Sequence, residues 1–492
     1  MLSLFLASME GTVVATAMPT IVAQLGGLDI YSWVFSMYML TSTTTVPIYG
    51  KLSDLYGRKR IYAITMLLFL AGSVLCGTAR TMEQLVLYRA IQGLGAGGVL
   101  PVVFTIVGEL FDLEMRARLQ GLFSGVWGIS SIIGPLIGGF LVDQVSWPWV
   151  FTINVFPGLL ALGLVWFAWQ GESTHRKVSI DYPGAIFLTL GALALLLGLN
   201  EPGSAQSWAF FATAAVMFAG LVWAERRAVD PILPLDLFRD RLFLIAILHG
   251  VFAGWAMFGS LSFVPLFAQG VLGTSATQAG ITLTPMSLAW TAASIYASRA
   301  LLSVSYRTLS VIGGVLLATG MLLTATIDSN TSWVMLVLYL CLTGAGMGLS
   351  IPSFLIAVQS TVERRNLGIA TSTVQFSRSI GGTIGVSILG LALTTLFAGG
   401  LRERGLDPSQ VSVNALMDSA AGAASALAGP VREALSGAIA GLFWIAFVAA
   451  VVALVVTLLA PGGRISEIVE QRTAEAQRAK GAENGTELKS AD

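Results

Sequence analysis

The sequence predicts an all-α integral membrane protein of fourteen helices: two six-helix bundles with two further helices inserted between them. Three observations predict it: a composition too apolar for water, apolar runs of spanning length, and an internal repeat. Of 492 residues, 55% are apolar and 11% charged, against about 25% charged in ordinary soluble domains. Glycine accounts for 54 residues, and small residues let helices approach closely in lipid. The 27 basic and 27 acidic residues cancel, which leaves no basic footprint for nucleic acid. Two cysteines, Cys76 and Cys341, and two histidines make neither a disulfide framework nor a histidine-based metal site.

A helix crossing a bilayer needs about 20 mainly apolar residues. With charge and turn clusters as separators, such runs fall at 2–24, 32–52, 61–79, 84–107, 119–142 and 148–169. Two more lie at 182–200 and 207–224. The last six lie at 242–268, 278–298, 309–327, 333–357, 369–397 and 437–459. The first run lacks a basic start, carries Glu10 and is followed by further spans, so it is expected to be a retained span and not a signal peptide.

Basic residues test this count, because they stay on the cytoplasmic side. The odd-to-even connections hold four, Arg80, Arg402, Arg404 and Arg432; the even-to-odd connections and the tail hold 21, and Arg89 and Arg378 lie within spans. Both termini are therefore expected in the cytoplasm, and the chain in the cytoplasmic membrane. The expected division is a first bundle at 1–170, an inserted pair with its linkers at 171–241, a second bundle at 242–460 and a cytoplasmic tail at 461–492. Residues 398–436, rich in Ala and Ser, are expected to form an extracellular loop with short surface helices. The polar tail is expected to be frayed.

The repeat sets the bundle plan. Leu87-Tyr88-Arg89-Ala90-Ile91-Gln92-Gly93-Leu94-Gly95-Ala96-Gly97 matches Leu338-Tyr339-Leu340-Cys341-Leu342-Thr343-Gly344-Ala345-Gly346-Met347-Gly348 at Leu, Tyr and three glycines, and Pro101/Pro352 continue the register. In the next spans Gly121/Gly368, Ser130/Ser377, Gly134/Gly381 and Gly138/Gly385 correspond. Parallel six-span halves are a transporter plan that places a substrate site between them near mid-membrane.

Three kinds of motif follow. The second-to-third connection reads Gly50-Lys51-Leu52-Ser53-Asp54-Leu55-Tyr56-Gly57-Arg58-Lys59-Arg60. Its glycines allow a tight turn, and Asp54 and Arg58 are spaced to pair along a helix. A basic cytoplasmic loop would explain the cations, but not Gly50, Asp54 and Gly57. The counterpart in the second half, 299–307, lacks both the glycine and the aspartate. The fifth span carries Gly121, Ser130, Gly134, Pro135, Gly138 and Gly139. Small residues on one face permit close helix contact, and Pro135 removes a backbone donor; packing alone would also account for this set. The remaining stretches are Met9-Glu10-Gly11-Thr12-Val13-Val14-Ala15-Thr16-Ala17-Met18-Pro19 and Trp147-Pro148-Trp149-Val150-Phe151-Thr152-Ile153-Asn154.

On these residues the chain resembles the major facilitator superfamily, and within it the 14-span drug:proton antiporters. The Gly50–Arg60 stretch resembles the superfamily's signature loop, which implies a latch for the outward-facing state. The Gly121–Gly139 pattern resembles its antiporter motif, with Ser130 where glycine is usual. The stretch from Trp147 is similar to W-R-W-x-F-x-I-N, with Pro148 replacing the arginine. The resemblance covers the whole chain.

Ionisable groups inside a membrane are costly and therefore candidates for function. Four sit clearly within the expected spans: Glu10, Arg89, His249 and Arg378. Glu10 is the sole carboxylate well inside an expected span. It can hold a proton in one state and a cation in another; a structural carboxylate paired with a neighbour is the simpler alternative. Arg89 has Leu340 as its repeat counterpart, so the fold does not itself demand a cation there. The resemblance links this arginine to proton transfer. His249, followed by Gly250 as Glu10 is by Gly11, is a possible counterpart of Glu10 and a candidate relay, or else a hydrogen-bonded structural group. Arg378 is expected to pair with backbone carbonyls or to reach an anionic group.

No metal-ligand spacing, G-x-S-x-G or nucleotide-binding loop occurs, so the chain is not expected to be an enzyme, and no cofactor is expected. The expected function is export of lipophilic or cationic compounds such as drugs, driven by a proton gradient. Its expected partners are small substrates, protons and the lipid bilayer, with no nucleic acid and a monomeric state. An exporter of an endogenous lipid, glycolipid or siderophore is the alternative.

Overall fold

The computed structural model describes residues 1–25, 31–168, 181–200, 204–228, 235–274, 281–363, 366–408 and 428–465, with 231, 233 and 467. Their regular structure is helical throughout. In chain order the helices are α1 (Leu2–Leu25), α2 (Tyr31–Tyr56), α3 (Arg58–Gly77), α4 (Met82–Leu110), α5 (Leu113–Gln144), a single turn α6 (Trp149–Thr152) and α7 (Val155–Ala168). They continue as α8 (Tyr182–Asn200), α9 (Ala205–Glu225), α10 (Arg241–Gly270), α11 (Thr284–Ala300), α12 (Tyr306–Thr324), α13 (Trp333–Thr361), α14 (Leu367–Glu403) and α15 (Ala428–Leu458).

Local signals start several of these helices. Side-chain oxygens of Thr81, Asp112 and Ser332 accept from the amides of Gln84, Met115 and Met335, and Asp240 accepts from Leu242 and Phe243. Each satisfies a donor the helix leaves free. Gly57, between α2 and α3, has φ 89°, a left-handed conformation that glycine adopts without strain.

Among the described residues, nine helical segments are long and apolar enough to cross a membrane. Fourteen spans were expected; nine counts only what the described residues show. The hydroxyls of Thr41, Thr44 and Thr45 in α2 bond back to their own helix. These hydroxyls make α2 less apolar, and α11, at 17 residues, is short for a span.

The repeat recognised in the sequence is used in the same way twice. A Cβ at Gly93 or Gly97 of α4 would strike Tyr38 or Ser42 of α2, and one at Gly95 would strike Phe69 of α3. In the second half, Gly344 and Gly348 of α13 lie against Met286 and Trp290 of α11, and Gly346 against Leu317 of α12. Thus α4 sits between α2 and α3 as α13 sits between α11 and α12. Across the halves, α2 packs on α14 and α5 on α11. Since α2 corresponds to α11 and α5 to α14, the two seams are equivalent. The inserted helices α8 and α9 pack on each other, and α8 also lies against α2 and α14. There its Leu193, Leu195 and Leu197 meet Trp33, Leu40 and Ile380.

The 398–436 segment differs from the expected loop at both ends. Helix α14 runs on to Glu403 and α15 begins at Ala428. Gly400 backs onto Ala434, and Leu401, Val431 and Leu435 are buried together. Burial of these apolar faces extends both helices beyond the expected span ends. Residues 409–427, and most of the tail, lie outside the described residues.

Candidate functional site

Two sites emerge, one enclosed within the first half and one across the seam between halves. In the first, Glu10 of α1 meets Arg89 of α4: the guanidinium donates to Glu10 Oε1 at 2.5 Å. Gln92, one turn along α4, donates to the same oxygen at 3.0 Å, and Asn154 donates to Oε2 at 2.7 Å. Arg89 also donates to the Gln92 side-chain oxygen at 2.7 Å and to the Val34 carbonyl at 3.2 Å. Its guanidinium stacks over the Tyr38 ring, 4.1 Å from the centroid. Ser73 of α3 accepts from Gln92 at 2.7 Å. Glu10 and Arg89 are both 1% exposed.

Burying two charges is tolerable when they pair closely and their other hydrogen-bonding capacity is filled. Both Glu10 oxygens have donors, and the three hydrogen bonds fill most of the carboxylate's accepting capacity. Gly72 brings α3 close: a Cβ there would strike the Gln92 backbone. Asn154 is available because it sits in the break between α6 and α7. A proton or an incoming cation must therefore compete with Arg89, Gln92 and Asn154 for Glu10.

The second site is the 50–60 loop. Asp54, at the end of α2, accepts from the amides of Gly368 and Ile369, each at 3.0 Å. These are orphan donors of α14, whose N-cap Asn366 makes no side-chain capping bond. Asp54 thus caps a helix of the opposite half, where the helix dipole favours a carboxylate. Arg58 pairs with Asp54 at 2.9 Å and with Glu109 at 3.2 Å. Gly50 lies directly against Gly368 and Ser372, a contact closed to any larger residue. Lys59 stands over the Trp166 ring at 5.0 Å. Nearby, Gln359 of α13 donates to the Phe104 carbonyl of α4 at 3.4 Å. The halves are closed on each other at this end.

The fifth-span motif divides by face. Gly121 packs against Ile295 of α11 across the seam, while Ser130 accepts from Ser8 of α1 at 2.6 Å. Gly134 and Gly138 are buried. Gly139 has nothing within 4 Å of where a Cβ would sit, so it is not the packing glycine the motif led us to expect. The Pro135 side chain lies outside the described ones.

His249 and Arg378 belong to neither cluster. His249 Nδ1 is 3.0 Å from the Thr457 hydroxyl, and its ring lies 4.8 Å from that of Phe354. Ser130 meets Ser8, whereas its counterpart Ser377 lies against Gly250. This aligns Gly250 with Ser8, and sets His249 three residues, about 4.5 Å, from the level of Glu10. The two are not at the same depth, because the matching Gly follows each residue in different registers. Arg378 is half-buried on α14, and its guanidinium has no partner among the described residues.

Sequence reasoning missed Gln92, Ser73 and Tyr38 as partners. Gln92 had a signal, being three residues from Arg89 on the same helix face; Ser73 and Tyr38 had none. Asn154 stood in a quoted motif without a role. Among the described residues no three His, Cys, Asp or Glu side chains gather as metal ligands.

The Major Facilitator Superfamily model matches residues 1–386. The multidrug transporter protein MdtP of Bacillus subtilis (strain 168) is 38% identical over 398 residues, covering 80% of this chain and 74% of its own length. Multidrug resistance protein 3 of the same organism is 39% identical over 409 residues, covering 82% and 80%. Among solved structures, the proton:xylose symporter XylE superposes with a TM-score of 0.62 at 14% identity, over 94% of this chain and 95% of its own. The human organic anion transporter MFSD10 gives 0.60 at 14%, over 91% and 97%. With its helical fold, its apolar helices and these relatives, the chain is a multi-pass membrane transporter, not an enzyme, and belongs to the major facilitator superfamily.

Proposed function

We propose that this protein exports lipophilic small molecules in exchange for protons, as a 14-span drug:proton antiporter working by alternating access. Support for export comes from relatives at 38% and 39% identity whose names are multidrug transporter and multidrug resistance protein. The observation that carries the exchange is the Glu10–Arg89 pair. Its carboxylate accepts from three donors and is sealed from water. Protonation of Glu10 and its ion pair with Arg89 are mutually exclusive, so movement of α1 against α4 converts a proton into a conformational signal. The Asp54 cap on α14 supports an outward-facing state, closed towards the cytoplasm.

In this reading residues 1–170 and 242–460 are the two bundles, 171–241 carries the inserted pair, and 461–492 is a cytoplasmic tail. The protein sits in the cytoplasmic membrane with both termini inside, works as a monomer and needs no cofactor beyond the proton gradient. A lipophilic cation, the substrate class expected from Glu10, would have to displace Arg89. An endogenous lipid, glycolipid or siderophore is the second reading, favoured by the unpartnered Arg378.

The test is ethidium movement in proteoliposomes under an imposed pH gradient. Glu10→Gln should abolish gradient-driven transport. Because that change strands the Arg89 charge, Glu10→Gln/Arg89→Gln serves as the folded control, and it too should fail to couple. Wild-type transport by the double variant would sink the proposal.

A further inference from the structure

Helix α14 carries Arg378, a cation with no ion pair among the described residues. Thr371, Gln375, Arg378 and Gly382 are spaced four, three and four residues apart, within about 60° of arc on a helix. Two contacts orient this stripe. The Thr371 hydroxyl accepts from Gln359 of α13, which also donates to the Phe104 carbonyl of α4. Gly382 lies against Phe258 of α10. The Thr371 end of the stripe therefore faces α13 and, through Gln359, α4 of the other half, and its Gly382 end faces α10 of its own half.

Its polar groups are unused. Among the described residues neither the Arg378 guanidinium nor the Gln375 amide has a hydrogen bond or ion pair. Gln375 is 8% exposed. Two turns beyond Arg378, Trp255 packs on Gly385, and its buried indole N–H has no acceptor. Arginine and indole offer donors and no acceptor, and arginine stays charged. Among the described residues the carboxylate deepest in the first half, Glu10, is engaged by Arg89, Gln92 and Asn154. A donor-rich, cationic face with no acid partner among the described residues fits an anion, and the Phe258 and Trp255 rings further along it fit a lipophilic body.

We propose that Arg378 and Gln375 form a subsite for the anionic group of a lipophilic substrate, so that lipophilic anions or zwitterions are preferred over simple cations. The guanidinium would hold a carboxylate through two parallel N–H donors, with the Gln375 amide beside it. This rests on the export reading above and specifies its substrate.

Triphenylacetate and 2,2,2-triphenylethylammonium share a trityl body and carry opposite charges, and the first ends in a carboxylate. Binding of each to the full chain in zwitterionic nanodiscs, corrected for empty nanodiscs, reads the preference directly. The wild type should bind the carboxylate about tenfold more tightly or better, the scale of one charge-assisted contact. Arg378→Gln should remove that preference, Arg378→Lys should keep part of it, and Gln375→Leu should weaken the carboxylate alone. The wild-type ratio stands even if a variant fails to fold. Equal or tighter ammonium binding by the wild type would overturn the inference while leaving export intact, as would an unchanged ratio in Arg378→Gln. If neither probe binds, the export of lipophilic compounds falls, and this inference with it.

Discussion

Arg89 and Glu10 form an ion pair 2.5 Å long with each side chain 1% exposed, and that closeness makes each residue the other's condition for being buried. A lone charge in a low-dielectric interior costs far more than a matched pair. The pair is thus both a structural joint between α1 and α4 and the group that a proton would have to break.

The first prediction is non-additivity. Glu10→Gln or Arg89→Leu alone leaves one buried charge unpaired and should destabilise by about 3–5 kcal/mol. The double change removes both charges and should recover much of that loss. Thermal unfolding in nanodiscs completes the cycle; a double variant as unstable as the sum of the singles would refute the coupling.

A second prediction concerns the cap of Asp54 on α14. Asp54→Asn keeps the shape and one acceptor but loses the charge at the helix N-terminus and the Arg58 pair. A charge at that position is worth about 0.3–1 kcal/mol, so the closed state should lose roughly two- to fivefold in population. Ser372, buried under Gly50, reports on opening when replaced by cysteine in a background lacking Cys76 and Cys341. Labelling from the cytoplasmic side should accelerate by that factor. No change in rate would mean that the cap does not hold the seam.

Glycines with similar sequence standing should behave differently. A Cβ at Gly95 meets the Phe69 backbone, whereas one at Gly139 meets nothing within 4 Å. Gly95→Ala should cost about 1–3 kcal/mol through forced helix separation, and Gly139→Ala should stay within about 0.5 kcal/mol of wild type. Melting temperatures of the two variants decide it. Equal losses would mean that the α3–α4 contact is not tight.

His249 should prove dispensable for coupling. Its described contacts are a hydroxyl and an aromatic ring, neither of which exchanges protons readily. His249→Gln can keep the Thr457 hydrogen bond and should retain transport driven by a pH gradient. Loss of coupling with normal substrate binding would restore the relay role considered from the sequence.

Much of the site was legible before any tertiary contact was known, and the limits have physical causes. Glu10, Arg89 and Arg378 announce themselves because a charge in an apolar run is costly wherever its helix goes. Asp54 and Gly57 do so because a tight turn and a same-helix ion pair are local geometry. The match of His249 to Glu10 misled because a Gly-containing dipeptide fixes no register. Gly139 misled because small size permits a close contact without requiring one.

What the sequence by itself determined is whatever depends on near neighbours: the apolar helices, the turn at Gly57 and the repeated glycines. The tertiary structure alone decided partners distant along the chain. Asn154 reaches Glu10 across 144 positions, and Asp54 reaches the α14 amides across 314 or more. It also decided that Glu10 is spoken for while, among the described residues, Arg378 is not. Helix packing brings such groups together by orienting whole faces, and no local pattern records which face will meet which.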